Sequence, residues 1–211
     1  MYYPAFVNVE NRTCLVIGGG KFAEEKVFKL LSHGAKIKIV SPDITENIKN
    51  ILDKEEVVWI KRKYSSGDLK DVFIAISATG DEVANDQVFK EAEDRNVLLN
   101  VVDVTHLCTF IAPSVATRGG VTVATSTGGS SPALARKFRE TLEGGCECRL
   151  LEYGDLTTIL SEVRKEIRDK NILVSVDRWQ ECIDEGLLDL VQKGKVDEAK
   201  KMLLSGLTSS K

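Results

Sequence analysis

The first hundred residues carry short apolar runs, separated by longer stretches in which apolar positions recur every three or four residues. The runs are Thr13–Ile17, Lys36–Val40, Val57–Ile60, Val72–Ser77 and Val97–Val102. Their brevity, β-branched content and Gly, Pro or Asp boundaries predict strands, largely covered on both faces. After the first run, Ala23, Val27, Leu30 and Leu31 share one stripe, which predicts a helix from Lys21 to about His33, closed by Gly34. A second helix is expected beyond Ser41-Pro42-Asp43 and through Ile51, and a third over Glu82–Arg95. Strands alternating with helices argue for an α/β fold with a parallel, doubly wound sheet.

Beyond Asp103 the pattern changes. Ser114–Thr127 holds β-prone pieces around Gly119-Gly120 and predicts a hairpin. Ser131-Pro132 then opens an Ala- and Leu-bearing helix, and from Leu150 the chain is helical by pattern over 156–169, 177–194 and 195–207. Gly144-Gly145 is the expected joint, which divides the chain into 1–112, 113–145 and 146–211.

Composition narrows the function classes. A formal net charge of −3, with 43% hydrophobic and 29% charged residues, describes an ordinary globular protein and argues against nucleic acid or an anionic membrane as partner. Any anion site must be local. No window approaches the roughly 20 apolar residues of a membrane span, and no secretory leader pattern opens the chain. Five scattered cysteines suit a reducing cytosol better than a disulfide framework, so a cytoplasmic location is expected.

Two glycine-bearing loops carry the chemistry. Gly18-x-Gly20-x-x-Ala23 follows a strand and opens a helix: Gly18 permits the tight turn, Gly20 puts no Cβ before a pyrophosphate, and Ala23 lets helix and strand approach. The helix N-terminus then holds the phosphates. Asp43, just past the second strand, is placed to accept from a ribose 2′-OH and repel a 2′-phosphate, which favours NAD over NADP; its competing role is to cap the next helix. Lys36 and Lys38 on the same strand could turn that preference. Ala78 and Thr79, at the carboxyl edge of the fourth strand, should line the cofactor crevice. The second loop, Gly128-Gly129-Ser130-Ser131 before Pro132, is also built like an anion-binding helix start, with a capped first turn as the plainer alternative.

Asp103 emerges at the carboxyl end of what the pattern presents as a central strand, where such sheets bind ligands. A carboxylate there can take a proton while a nicotinamide takes a hydride. Asp103, His106 and Cys108 also admit a metal-site reading, but they lack the second ligand pair of structural zinc sites, and Cys108 before an apolar stretch reads as a small buried residue. Cys146 and Cys148 form C-x-C without a partner pair, so no metal is assigned.

The segments 18–43 and 100–140, in this order and spacing, resemble the siroheme-synthase dehydrogenase family, the precorrin-2 dehydrogenases, some of which are also sirohydrochlorin ferrochelatases. The resemblance covers about residues 1–145. It implies a Rossmann-type NAD-binding domain over 1–112, a dimerisation and substrate-binding segment over 113–145, and a small helical domain over 146–211. The implied reaction is NAD-dependent dehydrogenation of precorrin-2 to sirohydrochlorin, with Asp103 as catalytic acid/base. Cofactor contacts would come from Gly18, Gly20, Lys21, Phe22, Pro42 and Asp43. The macrocycle's carboxylates would meet Arg118, Arg136, Ser130, Ser131 and the Gly128-Gly129 backbone, the physical match being cations and free N–H groups facing anions. A homodimer is implied, and a separate uroporphyrinogen methyltransferase chain would supply the substrate. Where many relatives carry further acids, Val104 and Thr109 stand here, which weakens ferrochelation more than dehydrogenation. The alternative from another class is a non-catalytic NAD-sensing regulatory module, which needs the first loop but nothing beyond Asp103.

Overall fold

The computed structural model describes residues 2–144 and 149–209. By its packing the chain divides into two units, one ending at Ala112 and one beginning at Pro113. Cys146 and Cys148 lie outside the described residues.

The first unit is a five-stranded sheet of β1 (Thr13–Ile17), β2 (Lys36–Val40), β3 (Val57–Ile60), β4 (Ile74–Ser77) and β5 (Leu98–Val101), all parallel, in the order β3-β2-β1-β4-β5. Successive residues of β1 divide between the two faces: Cys14 and Val16 join one core with Ala23 and Val27 of α1 (Lys21–Leu31), while Leu15 and Ile17 join the other with Val88 and Ala92 of α3 (Glu82–Arg95). That alternation, buried on both sides, is why the strand reads as a continuous apolar run. Burial pushes the Cys14 thiol up to about 11.

Some boundaries differ from the pattern. The helix beyond Asp43 is one turn, α2 (Glu46–Lys49), opened by Thr45, whose hydroxyl accepts from the Ile48 N–H at 3.3 Å, so Asp43 is not its cap. Helix α1 stops at Leu31, where Ser32 takes over as cap. Strand β5 is not central but lies at the sheet edge. Its outward groups are met by the chain doubling back: Thr109 and Phe110 donate to the Leu99 carbonyl, and the Thr109 hydroxyl accepts from the Leu99 N–H at 2.7 Å.

A buried acid network fixes the loop after β3. Glu91 of α3 accepts from the Tyr64 hydroxyl, the Gly67 N–H and Arg95 Nε at 2.7 Å. Asp68 accepts both arms of Arg62 and the Ser65 N–H at 3.0 Å. Despite burial, these donors hold both carboxyls below their usual range.

In the second unit, β6 (Ser114–Arg118) and β7 (Val121–Thr125) pair antiparallel, and α4 (Pro132–Glu143) packs on them through Ala116 and Ala135, both buried. Gly119 turns the hairpin at φ +54°, and its open side faces the Gly154 carbonyl, 2.2 Å from where a Cβ would sit. Helices α5 (Thr157–Asp169), α6 (Val176–Cys182), α7 (Glu185–Gln192) and α8 (Val196–Thr208) share a core of Leu156, Ile159, Val163, Ile167, Leu187 and Leu203 among others. The pattern over 177–194 reads as one helix but is two, because Asp184 caps α7 by accepting from the Leu187 N–H at 2.8 Å. Among the described residues no helix is long and apolar enough to cross a membrane.

Candidate functional site

The glycine run sits between the carboxyl ends of β1, β2 and β4. The Gly18 N–H donates to the Val40 carbonyl, the Gly19 carbonyl accepts from Thr45, and the Ala78 N–H donates to Ile17. Gly18 holds φ +110°, and a Cβ on it would lie 2.6 Å from the Ala78 carbonyl oxygen. Gly19 is tighter still: its Cβ would lie 1.9 Å from the Asp43 carbonyl oxygen. The motif assigns no task to this middle position, and the third consecutive glycine was the signal available. Gly20 differs in kind. It caps α1 with extended backbone and no side-chain bond, and a Cβ there would meet nothing within 4 Å. The protein leaves that space open, at a helix N-terminus, which fits a dinucleotide pyrophosphate. Lys21 and Phe22 are exposed on the first turn of α1, and Ala78 and Thr79 are half-buried on the other side of Gly18.

Asp43 and Pro42 are exposed beyond β2, and no hydrogen bond or ion pair engages the Asp43 carboxylate among the described residues. The cations that could favour a 2′-phosphate are held elsewhere. Lys38 Nζ donates to the Asp68 carbonyl at 3.0 Å, and Arg62 forks onto the Asp68 carboxylate. Lys36 begins β2, at the end remote from the glycine run.

Past β5 the chain turns sharply. The Val104 N–H donates to the Val101 carbonyl, and Asp103, third residue of that turn, adopts φ +63°. Aspartate tolerates this left-handed position, as Asp71 at φ +61° in the Leu69–Val72 turn also does, and the Asp103 carboxylate is left exposed. His106 is exposed on a 3-10 turn at Thr105–Leu107. Cys108 points away from a metal-site arrangement, its sulfur engaged with the backbone of Val101 and Val104.

In the second unit, the serine–glycine loop satisfies much of its own backbone. Ser131 Oγ accepts from the Leu134 N–H at 3.2 Å, the Ser131 N–H donates to Thr127 Oγ1 at 2.9 Å, and the Gly128 N–H donates to Ser126 Oγ at 3.1 Å. Gly129 and Ser130 are exposed at the tip. The expected arginine partners have acidic partners of their own: Arg118 forks onto Asp155 at 2.9 and 2.7 Å, and Arg136 pairs with Glu140 at 2.6 Å. The cations left without an ion-pair partner among the described residues include Arg164, Lys165 and Arg168, on the outer face of α5, where with Thr158, Ser161 and the acidic Glu162 they line an open cavity of about 690 Å³. The pattern drew attention to the apolar stripe of this helix and so missed its basic face.

A family model described as "Putative NAD(P)-binding" matches residues 5–114, more than half of the chain. The chain belongs to this NAD(P)-binding family. A second model, "Sirohaem biosynthesis protein central", matches residues 118–144 of this family member. Relatives include the siroheme synthase of Mannheimia succiniciproducens, 33% identical over 209 residues, 98% of this chain and 43% of that protein. The siroheme synthase of Photobacterium profundum is 35% identical over 211 residues, 99% of this chain and 44% of its own length. The chain thus spans less than half the length of these curated relatives. Among solved structures, SirC, precorrin-2 dehydrogenase, superposes with a TM-score of 0.75 at 27% identity, covering 96% of this chain and 98% of that one. The Rossmann-type sheet, the hairpin segment and the C-terminal helices are thus elements that this solved structure also contains.

Proposed function

We propose that this chain is an NAD-dependent precorrin-2 dehydrogenase that forms sirohydrochlorin in siroheme biosynthesis. The observation that carries the reading is the likeness to SirC over nearly the whole of both chains, joined to an exposed carboxylate in a left-handed turn beyond the glycine-loop sheet. NAD⁺, when bound, supplies the hydride acceptor. Gly18, Gly19 and Gly20 with Lys21 and Phe22 would hold its pyrophosphate end, Pro42 and Asp43 its adenosine ribose, and Ala78 and Thr79 would line the crevice. The macrocycle loses one hydride to the cofactor and one proton, so two electrons and two hydrogens leave together. Asp103 takes that proton and stabilises the positive charge that builds as the hydride departs.

The substrate's carboxylates need cations that are not already paired. Arg164, Lys165 and Arg168 meet this condition, beside Glu162 in the same cavity, with the exposed Gly129 N–H and Ser130 hydroxyl as neutral donors and Ser131 as the helix cap; Arg118 and Arg136 would have to exchange an acidic partner for the substrate. Residues 113–145 serve as the dimerisation and substrate-binding segment and 146–211 as a helical domain. The support for a homodimer is that α4 exposes Leu134 and Phe138, one turn apart, while its hairpin partner contributes little core. A uroporphyrinogen methyltransferase is the activity that would supply precorrin-2. Ferrochelation is the weaker extension, because Val104 and Thr109 add no carboxylate beside Asp103.

Mixing the chain with precorrin-2 and NAD⁺ should generate NADH absorbance. Asp103→Asn, which tolerates the left-handed turn, should abolish it while NAD⁺ still binds. Undiminished turnover would refute the role, and NAD⁺ binding with no turnover in the unmodified chain would favour the sensing module. An Fe²⁺ arm of the same assay tests insertion.

A further inference from the structure

We propose that Cys108 is a positioning residue for Asp103, its thiol clamping both ends of the turn that presents the carboxylate. The inference rests on the catalytic reading of Asp103 given above. Cys108 Sγ accepts from the Val101 N–H at 3.2 Å, and lies 3.3 Å from the Val101 carbonyl oxygen and 3.4 Å from that of Val104, to which its S–H can donate. The Asn100 side-chain amide adds a fourth polar contact at 3.6 Å. Val101 and Val104 are the first and last residues of the turn, and Asp103 lies between them at φ +63°.

A buried cysteine with apolar neighbours alone is a small hydrophobe. This one is different in its surroundings. The Val102 N–H points into the sheet, to the Ser77 carbonyl, so the neighbouring Val101 N–H faces the open edge of β5. Without Cys108 that donor would have only solvent, and the turn would rest on its own Val104 N–H to Val101 carbonyl bond. The left-handed backbone of a non-glycine residue persists where its surroundings over-determine it, and the thiol supplies that constraint at two points. Burial raises the pKa of the thiol, which keeps the proton it needs to donate. A freed turn would let the carboxylate sample orientations away from the macrocycle, and small displacements at a reacting group cost rate more than binding.

The test uses the full chain with four variants. Cys108→Ala should lower kcat on the order of ten- to a hundredfold, with the NAD⁺ dissociation constant unchanged and faster hydrogen exchange at the Val104 amide. Cys108→Ser, which keeps a donor and an acceptor, should recover most of the rate. Full turnover in Cys108→Ala beside an inactive Asp103→Asn would overturn this proposal and leave the proposed function standing. Undiminished turnover in Asp103→Asn would overturn both. If Cys108→Ala does not fold, Cys108→Val against Cys108→Ser makes the same comparison, and equal rates in that pair would overturn the clamp.

Discussion

Gly19 and Gly20 are adjacent and chemically identical, yet alanine should fail at each for a different reason. At Gly19 the new Cβ would lie 1.9 Å from the Asp43 carbonyl oxygen and 2.9 Å from Ser41 Oγ. That is about 1.5 Å inside ordinary contact, and the obstacle is backbone rather than a side-chain tip that can swing away. Relief must move the segment that carries Asp43, so Gly19→Ala should cost about 1–3 kcal/mol of stability and weaken NAD⁺ binding as well. At Gly20 the Cβ meets no protein atom. The unliganded fold should tolerate it, with a loss of about 0.5–1 kcal/mol at the helix cap, where alanine is a poorer occupant than glycine. The methyl would instead stand where the pyrophosphate approaches the N-terminus of α1. Losing one hydrogen bond to a charged group, about 1.5–3 kcal/mol, raises the dissociation constant roughly 10- to 150-fold. Thermal unfolding without ligand, paired with calorimetric NAD⁺ titration, separates the two cases. A Gly20→Ala variant that binds NAD⁺ like the unmodified chain would refute the placement of the phosphates.

Two further predictions concern other parts of the molecule. Glu91 and Asp68 have folded-state pKa values below their unfolded ones, so the stability they contribute is complete above the ordinary carboxyl range and is lost as pH falls through the lowered values. Urea midpoints should therefore drop as pH falls below about 4.5, and Glu91→Gln, which loses about 2 kcal/mol at neutral pH, should show a shallower drop. Charge reversal at Arg164 and Arg168 together should raise KM for precorrin-2 more than about tenfold with NAD⁺ affinity unchanged, as read by steady-state kinetics; an unchanged KM would assign that face to solvent.

The strands were legible because each is an apolar run bounded by turn formers, and five such runs separated by helical stripes admit few arrangements. What periodicity could not convey was lateral position: nothing local in 97–102 distinguishes a central strand from an edge, because pairing with β4 uses backbone groups. Helix lengths failed where caps intervened, at Thr45 and Asp184, side chains whose capping role depends on the backbone they sit in. The pairing of Arg136 with Glu140 could be read from i, i+4 spacing, whereas Arg118 meets Asp155 across 37 residues and shows no trace in the pattern. Cys108 was read as a small buried residue, but it is only half-buried and its role as a hydrogen-bonding group left no trace, since its main-chain partners carry no sequence identity.

The return of the chain along β5 has a consequence for how this region can change over evolution. Residues 108–110 close the open side of an edge strand, which otherwise offers a template for another chain to pair with and aggregate. The same three residues begin with the thiol beside Asp103. An insertion or deletion between Asp103 and Phe110 would therefore shift the register of the seal and the aim of the carboxylate in one step. Surface loops usually vary freely in length; this one is bound to solubility and to chemistry at once, and substitutions within it should be accepted far more readily than changes in its length.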